Sequence, residues 1–227
     1  MTRRGHGAAA ARTLACLAAL ALAGCGSADS NVGWDQVYDM FSGGFGGSSS
    51  VTLEQAASVP YATLGVRVGD GPEAMVVLAG QAGGDLLWTS RARIAVTTRH
   101  GRIVKTSGLP RNIDSLYFPA GDPILDAARG GPPIESTRMA DFWDLNRYSV
   151  PLRCVAVSRG TDPVTILGKT IATTRVDETC EGSTMDWSFT DSFWVGSNGL
   201  VWKSIQHYHP DYDPLELEIL RPPAGMF

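Results

Sequence analysis

The chain has 227 residues, a formal charge of −4 and 44% apolar residues, enough to bury one substantial core. Arg3, Arg4 and Arg12 precede Cys25 with no acidic residue among them, so cleavage before that cysteine leaves 16 basic against 23 acidic side chains, a net charge of −7. An acidic chain of this kind has no long-range attraction for nucleic acid or for an anionic membrane face, and neither is expected as its main partner.

At the N-terminus the three arginines precede an apolar stretch from Thr13 to Ala23. It falls short of the roughly 20 apolar residues that a membrane-spanning helix needs, and fits a secretory signal peptide over residues 1–24. The stretch ends in Leu22-Ala23-Gly24-Cys25, the pattern of a bacterial lipobox. Cys25 is therefore the expected lipidation site, and its acyl chains are the expected membrane attachment. Gly26 and Ser27 follow, with no aspartate to retain the protein at the inner membrane. The expected address is the outer membrane, with the domain facing the periplasm.

Residues 25–51 form a lipidated tether, because Ser42-Gly43-Gly44-Phe45-Gly46-Gly47-Ser48-Ser49-Ser50 offers too little apolar surface to offset its ordering entropy. Before it, Trp34, Val37, Tyr38 and Phe41 stand at helical spacing, as one amphipathic helix or as a loose segment. Residues 52–227 are expected to form a single β-rich periplasmic domain. Thr52 and Gln55 make a capping box for a short helix that Pro60 stops. Strand patterns follow at Tyr61–Val68, Ala74–Ala79, Leu86–Ser90, Arg93–Thr98 and Arg102–Thr106, with Gly83-Gly84 and Arg99-His100-Gly101 as turns. Asp122-Pro123 opens another short helix, closed by Gly130. The stretch from Asp122 to Asp144 is otherwise irregular. Strands resume at Ser149–Ser158, Val164–Glu178, Met185–Val195, Leu200–His207 and Leu215–Leu220, with Asn198-Gly199 as a hairpin turn. Six to ten strands and a few short helices predict a mainly β fold, an antiparallel β-sandwich or an open or closed barrel.

Four cysteines are present. Cys16 leaves with the signal and Cys25 takes the lipid, so Cys154 and Cys180 remain as an even pair in an oxidising compartment, and a disulfide between them is expected.

The run Leu87-Trp88-Thr89-Ser90, Gly101-Arg102-Ile103-Val104-Lys105-Thr106-Ser107-Gly108-Leu109, Phe193-Trp194-Val195, Gly199-Leu200-Val201-Trp202-Lys203-Ser204-Ile205-Gln206, Pro210 and Leu220-Arg221-Pro222 occurs in that order. Together with the lipobox it resembles the YjbF/GfcB-type lipoproteins of capsule and exopolysaccharide operons, over most of Tyr61 to Pro222. The resemblance implies an outer-membrane lipoprotein with a β-rich periplasmic domain, associated with production or export of group 4 capsule or a related polysaccharide. It carries no catalytic residues to transfer. The glycine-rich tether and the insertion-like Asp122–Asp144 region depart from the family pattern.

Local chemistry adds little. His207 and His209 on one strand face, with Asp211 or Asp213, could hold a metal, but a strand end running into a polar loop is the preferred reading, and no metal or other cofactor is expected. No G-x-S-x-G elbow or phosphate-binding loop is present. The acidic residues available to pair for glycoside hydrolysis are Asp177, Glu178, Glu181, Asp186 and Asp191. Trp88, Trp194 and Trp202 lie in apolar strand patterns and read as core. Trp143 and Trp187 stand beside polar residues and are the candidates for an exposed glycan or partner surface.

The sequence thus points to a non-enzymatic accessory factor in capsule or exopolysaccharide assembly or export, whose partner is the polysaccharide or an outer-membrane export protein. A lipid or lipoprotein carrier with an apolar barrel cavity and a periplasmic hydrolase acting on envelope glycans are the alternatives. Replacing the acceptor thiol in Cys25→Ala is expected to abolish incorporation of labelled palmitate and to move the protein out of the membrane fraction. Retention of both label and membrane association would refute the lipobox reading.

Overall fold

The structure, a computed structural model, describes residues 50–224. The expected signal peptide 1–24, Cys25, the tether through Ser49 and the aromatic stretch from Trp34 to Phe41 lie outside the described residues. Helix α1 (Leu53–Ser58) begins at the Thr52 capping box: Thr52 Oγ1 accepts from the Gln55 N–H at 3.2 Å, and Gln55 Oε1 accepts from the Thr52 N–H at 2.8 Å. Strands β1 (Thr63–Val68), β2 (Ala74–Ala82), β3 (Asp85–Thr89), β4 (Ala95–Arg99) and β5 (Arg102–Ser107) follow as a meander. Both turn residues have positive φ in Gly83-Gly84 and in His100-Gly101, the geometry that suits the twist of two-residue hairpins.

After β6 (Ser115–Tyr117), helix α2 (Ile124–Ala127) leads to the long pair β7 (Ile134–Phe142) and β8 (Arg147–Thr161). The small hairpin β9 (Val164–Ile166) and β10 (Lys169–Ile171) precedes β11 (Thr173–Gly182), β12 (Ser188–Gly196), β13 (Val201–Gln206) and β14 (Leu215–Arg221). Twelve strands form one antiparallel sheet in the order β5-β4-β3-β2-β1-β14-β13-β12-β11-β8-β7-β6. Its two ends meet where the Thr106 N–H donates to the Ile113 carbonyl at 2.9 Å, so the sheet nearly closes as a barrel. The sandwich alternative is thereby set aside.

Closure is reinforced from inside. Gln206 on β13 reaches β5, accepting from the Ile103 N–H at 2.9 Å and donating to the Gly101 carbonyl at 2.9 Å. Gly101 has a φ of +81°, and the Val201 side chain occupies the space that a Cβ there would need, so the turn and the close approach both require glycine.

Three expectations need correction. The chain forms fourteen strands among the described residues rather than six to ten. The Asp122–Asp144 region, expected to be irregular, supplies α2 and all of β7. Strand β7 escaped detection because its inward positions are Ser136, Arg138, Ala140 and Phe142, which break the apolar alternation that marks a half-buried strand. The stretch from Val164 to Glu178 is a hairpin plus a strand, separated because Leu167 and Gly168 both turn at positive φ.

Between two apolar clusters inside the barrel lies a charged layer. On β11, Cys180 belongs to one cluster and Val176 to the other, with Glu178 between them; on β12, Phe189 and Phe193 flank Asp191 in the same way. Arg102 donates to both oxygens of Asp122 at 2.6 and 3.1 Å and to Glu178 at 2.8 Å. Arg138 donates to Glu178 at 3.2 Å and to Asp191 at 3.0 Å. Phenyl rings cover the guanidiniums: Arg102 lies 4.8 Å from Phe118 and 4.6 Å from Phe193, and Arg138 lies 5.0 Å from Phe189. Burial opposes charge on Arg102, yet Glu178 and Asp122 raise its pKa further. Burial also opposes charge on Asp122 and Asp191, and is outweighed by Arg102 at Asp122 and by Arg138 at Asp191, so both carboxyls titrate below their ordinary range.

Cys154 and Cys180 stand directly opposite each other on β8 and β11 and form a disulfide. Its 26-residue separation predicts that the Cys154→Ala, Cys180→Ala double variant loses about 2–4 kcal/mol in denaturant unfolding; an unchanged midpoint would exclude a stabilising role. The depressed Asp122 and Asp191 carboxyls contribute stability that is fully present above the unfolded carboxylate range and is lost as pH falls through their lower folded values. Thermal melts are therefore expected to drop steeply below about pH 4, and Asp191→Asn should flatten that dependence. An equal slope in both proteins would contradict the assignment.

Candidate functional site

The turn between β7 and β8 projects Trp143 and Tyr148 into solvent at 74% and 52% exposure. Their rings meet edge to face with centroids 6.3 Å apart. Exposed aromatic rings usually collapse onto apolar neighbours, and here the backbone beneath them is held instead. The Trp143 N–H donates to Asp114 at 2.6 Å, and the Ser149 N–H donates to Asp141 at 2.7 Å. Asn146 and Ser149 both hold positive φ without being glycine, a cost that persists only where surrounding contacts enforce it.

Asp144 fixes the tip to the rest of the barrel. Arg111 donates to its Oδ2 at 3.0 Å, and its Oδ1 lies 3.2 Å from Nε2 of the fully buried His209. Burial lowers the His209 pKa, against the pull of Asp144, and favours the neutral ring. Nδ1 of that ring accepts from the Asp211 N–H at 3.1 Å, so Nε2 carries the proton and donates to Asp144. The β5–β6 loop supplies Arg111 and Asp114, and the β13–β14 loop supplies His209. Three connections at one end of the barrel thus converge on one aromatic tip.

The two tryptophans singled out from sequence come to this end in different states. Trp143 is exposed, whereas Trp187 is half-buried and packs 5.8 Å from Phe142 and 4.2 Å from Phe189. It supports the strand that carries the tip. Tyr148, Arg111, Asp114 and the pinning role of His209 were not anticipated. The partners of Arg111, Asp114 and His209 lie 29 to 65 residues away in the chain, so no local pattern announces them. Of the core candidates, Trp88 is fully buried and donates to Thr98 at 2.9 Å. Trp194 is buried as well, in a separate cluster with Val164 and Ile166 of the β9–β10 hairpin, and Trp202 packs half-buried against it.

The other candidates resolve into structural contacts. His207 and His209 follow the end of β13 and part company: His207 Nδ1 lies 3.2 Å from Asp191, while His209 faces Asp144. Cys154, Cys180 and Glu178 bring potential metal-ligating atoms within 4.8 Å of one another, but both sulfurs are committed to the disulfide. Glu178 and Asp191 are cross-strand partners inside the barrel, bound by arginine and buried from solvent. Asp177 is taken up by Arg175, Arg159 and Ser192 on the outer surface. The cavity that a lipid carrier needs is occupied at this level by Trp88, Phe142, Phe193 and Ile94, all fully buried. Beside Arg138 and Tyr208 a void of about 10 Å³ remains, the room for one water molecule rather than an acyl chain.

Comparison with known proteins agrees with this fold. A crystal structure of the hypothetical lipoprotein YmcC from Escherichia coli (K12) superposes with a TM-score of 0.67 at 24% identity, covering 76% of this chain and 89% of that one. The uncharacterized lipoprotein YjbF of E. coli (strain K12) is 26% identical over 212 residues, 90% of this chain and 95% of its own length. The uncharacterized lipoprotein GfcB of the same organism is 24% identical over 208 residues, again 90% of this chain and 95% of its own. The family model described as "Group 4 capsule polysaccharide lipoprotein gfcB, YjbF" matches residues 34–220, and with the barrel shared as well, this chain belongs to that family.

Proposed function

We propose that the protein is a lipid-anchored, non-enzymatic accessory factor that contacts capsule or exopolysaccharide during its assembly or export at the outer membrane. The observation that carries this reading is the Trp143–Tyr148 tip, exposed yet held rigid by Asp114, Asp141 and Asp144. Aromatic faces stack on the apolar faces of sugar rings, and adjacent carboxylates accept from sugar hydroxyls. A preformed platform loses little conformational entropy when it engages such a ligand. The family description, which concerns group 4 capsule polysaccharide, supports the same chemistry. Acylation at Cys25 would confine the barrel near the membrane, and the glycine-rich tether would let it search its surroundings. Confinement raises effective concentration, so contacts weak in solution suffice in place.

Surface polysaccharide in a strain lacking the gene is the decisive measurement, with complementation by the wild type and by a Trp143→Ala, Tyr148→Ala variant. Both rings are exposed, so their loss should alter stability by no more than about 0.5 kcal/mol each. Deletion is expected to lower surface polysaccharide, the wild type to restore it, and the double variant to restore it only in part at equal protein level. The same amount of polymer with and without the gene, under conditions in which it is made, would overturn the proposal.

A further inference from the structure

We infer that the outward face of β6, β7, β8, β11 and the start of β12 is a track that holds several consecutive sugar units of a polysaccharide chain, continuing downward from the Trp143–Tyr148 tip. This rests on the glycan reading above and specifies how the ligand lies. Antiparallel register sets the exposed side chains in rows across the strands. Glu135, Val155, Thr179 and Thr190 stand side by side, and the next row towards the tip holds Thr137, Arg153, Glu181 and Ser188. All eight are exposed. The row above places Tyr117, 43% exposed, beside Met139 and Pro151. From Glu135 to Trp143 the strand advances roughly 27 Å at about 3.4 Å per residue, a length that suits a polymer segment rather than one sugar.

All side chains of the two lower rows but Ser188 and Thr190 line a groove of about 770 Å³, with Pro119 and Ala120 on its flank. The flank exists because β6 pairs with β7 only from Met139 to Asp141 and leaves the lower part of β7 without a strand on that side. Other parts of the outer wall are covered. Helix α1 packs with Met75 and Leu220, and the β9–β10 hairpin packs with Trp194 and Ile205.

The chemistry of the groove selects its occupant. Threonine hydroxyls, two glutamates and one arginine give donors and acceptors at short intervals, which matches the hydroxyl-rich edge of a sugar chain. Val155 is the one apolar side chain in the two rows, too little for the apolar centre of a protein interface or for a lipid. A single guanidinium between two carboxylates gives no field for a polyanion.

The test uses the intact lipoprotein in detergent, immobilised and probed with surface polysaccharide from a strain carrying the gene. Oligosaccharides of graded length, made from that polymer by partial acid hydrolysis, are the second probe. Affinity is expected to rise with length until the oligomer spans the track. A Thr137→Arg, Thr179→Arg variant, checked for an unchanged melting temperature, is expected to bind long oligomers about tenfold more weakly and the shortest ones as the wild type does. A Glu135→Ala, Glu181→Ala variant, which removes groups rather than adding bulk, should weaken long oligomers in the same sense. Affinity independent of length, or groove variants that bind long oligomers like the wild type, would overturn the track and leave the tip standing. Failure of the wild type to retain any of the polysaccharide would overturn the glycan reading itself, and the track with it.

Discussion

Two guanidinium groups inside a barrel are costly unless carboxylates meet them at the same level, since an unpaired buried charge destabilises by several kcal/mol. Arg102 and Arg138 are met by Asp122, Glu178 and Asp191, drawn from segments up to 76 residues apart. That requirement ties β5, β7, β11 and β12 to one another. A slip of one residue in β7 would turn Arg138 out to solvent, bring an outward neighbour in, and leave Glu178 and Asp191 to share Arg102 alone. The layer also docks α2, because Asp122 binds Arg102 while accepting from the Ile124 N–H at 3.1 Å, and Ile124 and Ala127 then complete the smaller apolar cluster. Register, the docking of α2 and core division follow from the same few ion pairs.

With the interior committed to side chains, the molecular surface is what remains for recognition. The barrel divides that surface unevenly. Among the described residues, helix α1 and the β9–β10 hairpin cover one side of the wall, and nothing covers the face of β6, β7, β8 and β11. At one end of this open face, loops far apart in sequence fasten a turn whose aromatic rings point to solvent. Rigidity there comes from side-chain acceptors bonded to backbone N–H groups and from a neutral histidine held in one tautomer. The buried disulfide between β8 and β11 lies directly beneath the open face and stiffens the strands that form it.

Much of the outline is legible from residues that act locally. The Thr52 capping box, the glycine turns at Gly83-Gly84 and His100-Gly101, and the alternating strands of the meander all depend on neighbours within a few positions, and each takes the form expected. Strand β7 is the instructive failure. Ser136 and Arg138 face inward, and polar residues on an inner face erase the period of two by which a strand is recognised. The same charges that organise the barrel therefore hide one of its longest strands.

By itself the sequence determined the mainly β class, the lipobox pattern at Cys25, the Cys154–Cys180 pair and the family resemblance, because these rest on composition, short motifs and elimination among few cysteines. Only the tertiary structure decided that the sheet nearly closes as a barrel, that Glu178 and Asp191 answer buried arginines, and that Trp143 is exposed while Trp187 is packed. Those outcomes depend on which distant segments share a level of the barrel, and on whether a neighbour such as Phe189 lies against a ring. Burial and charge pairing are properties of that assembled neighbourhood, and residues adjacent in the chain carry no record of it.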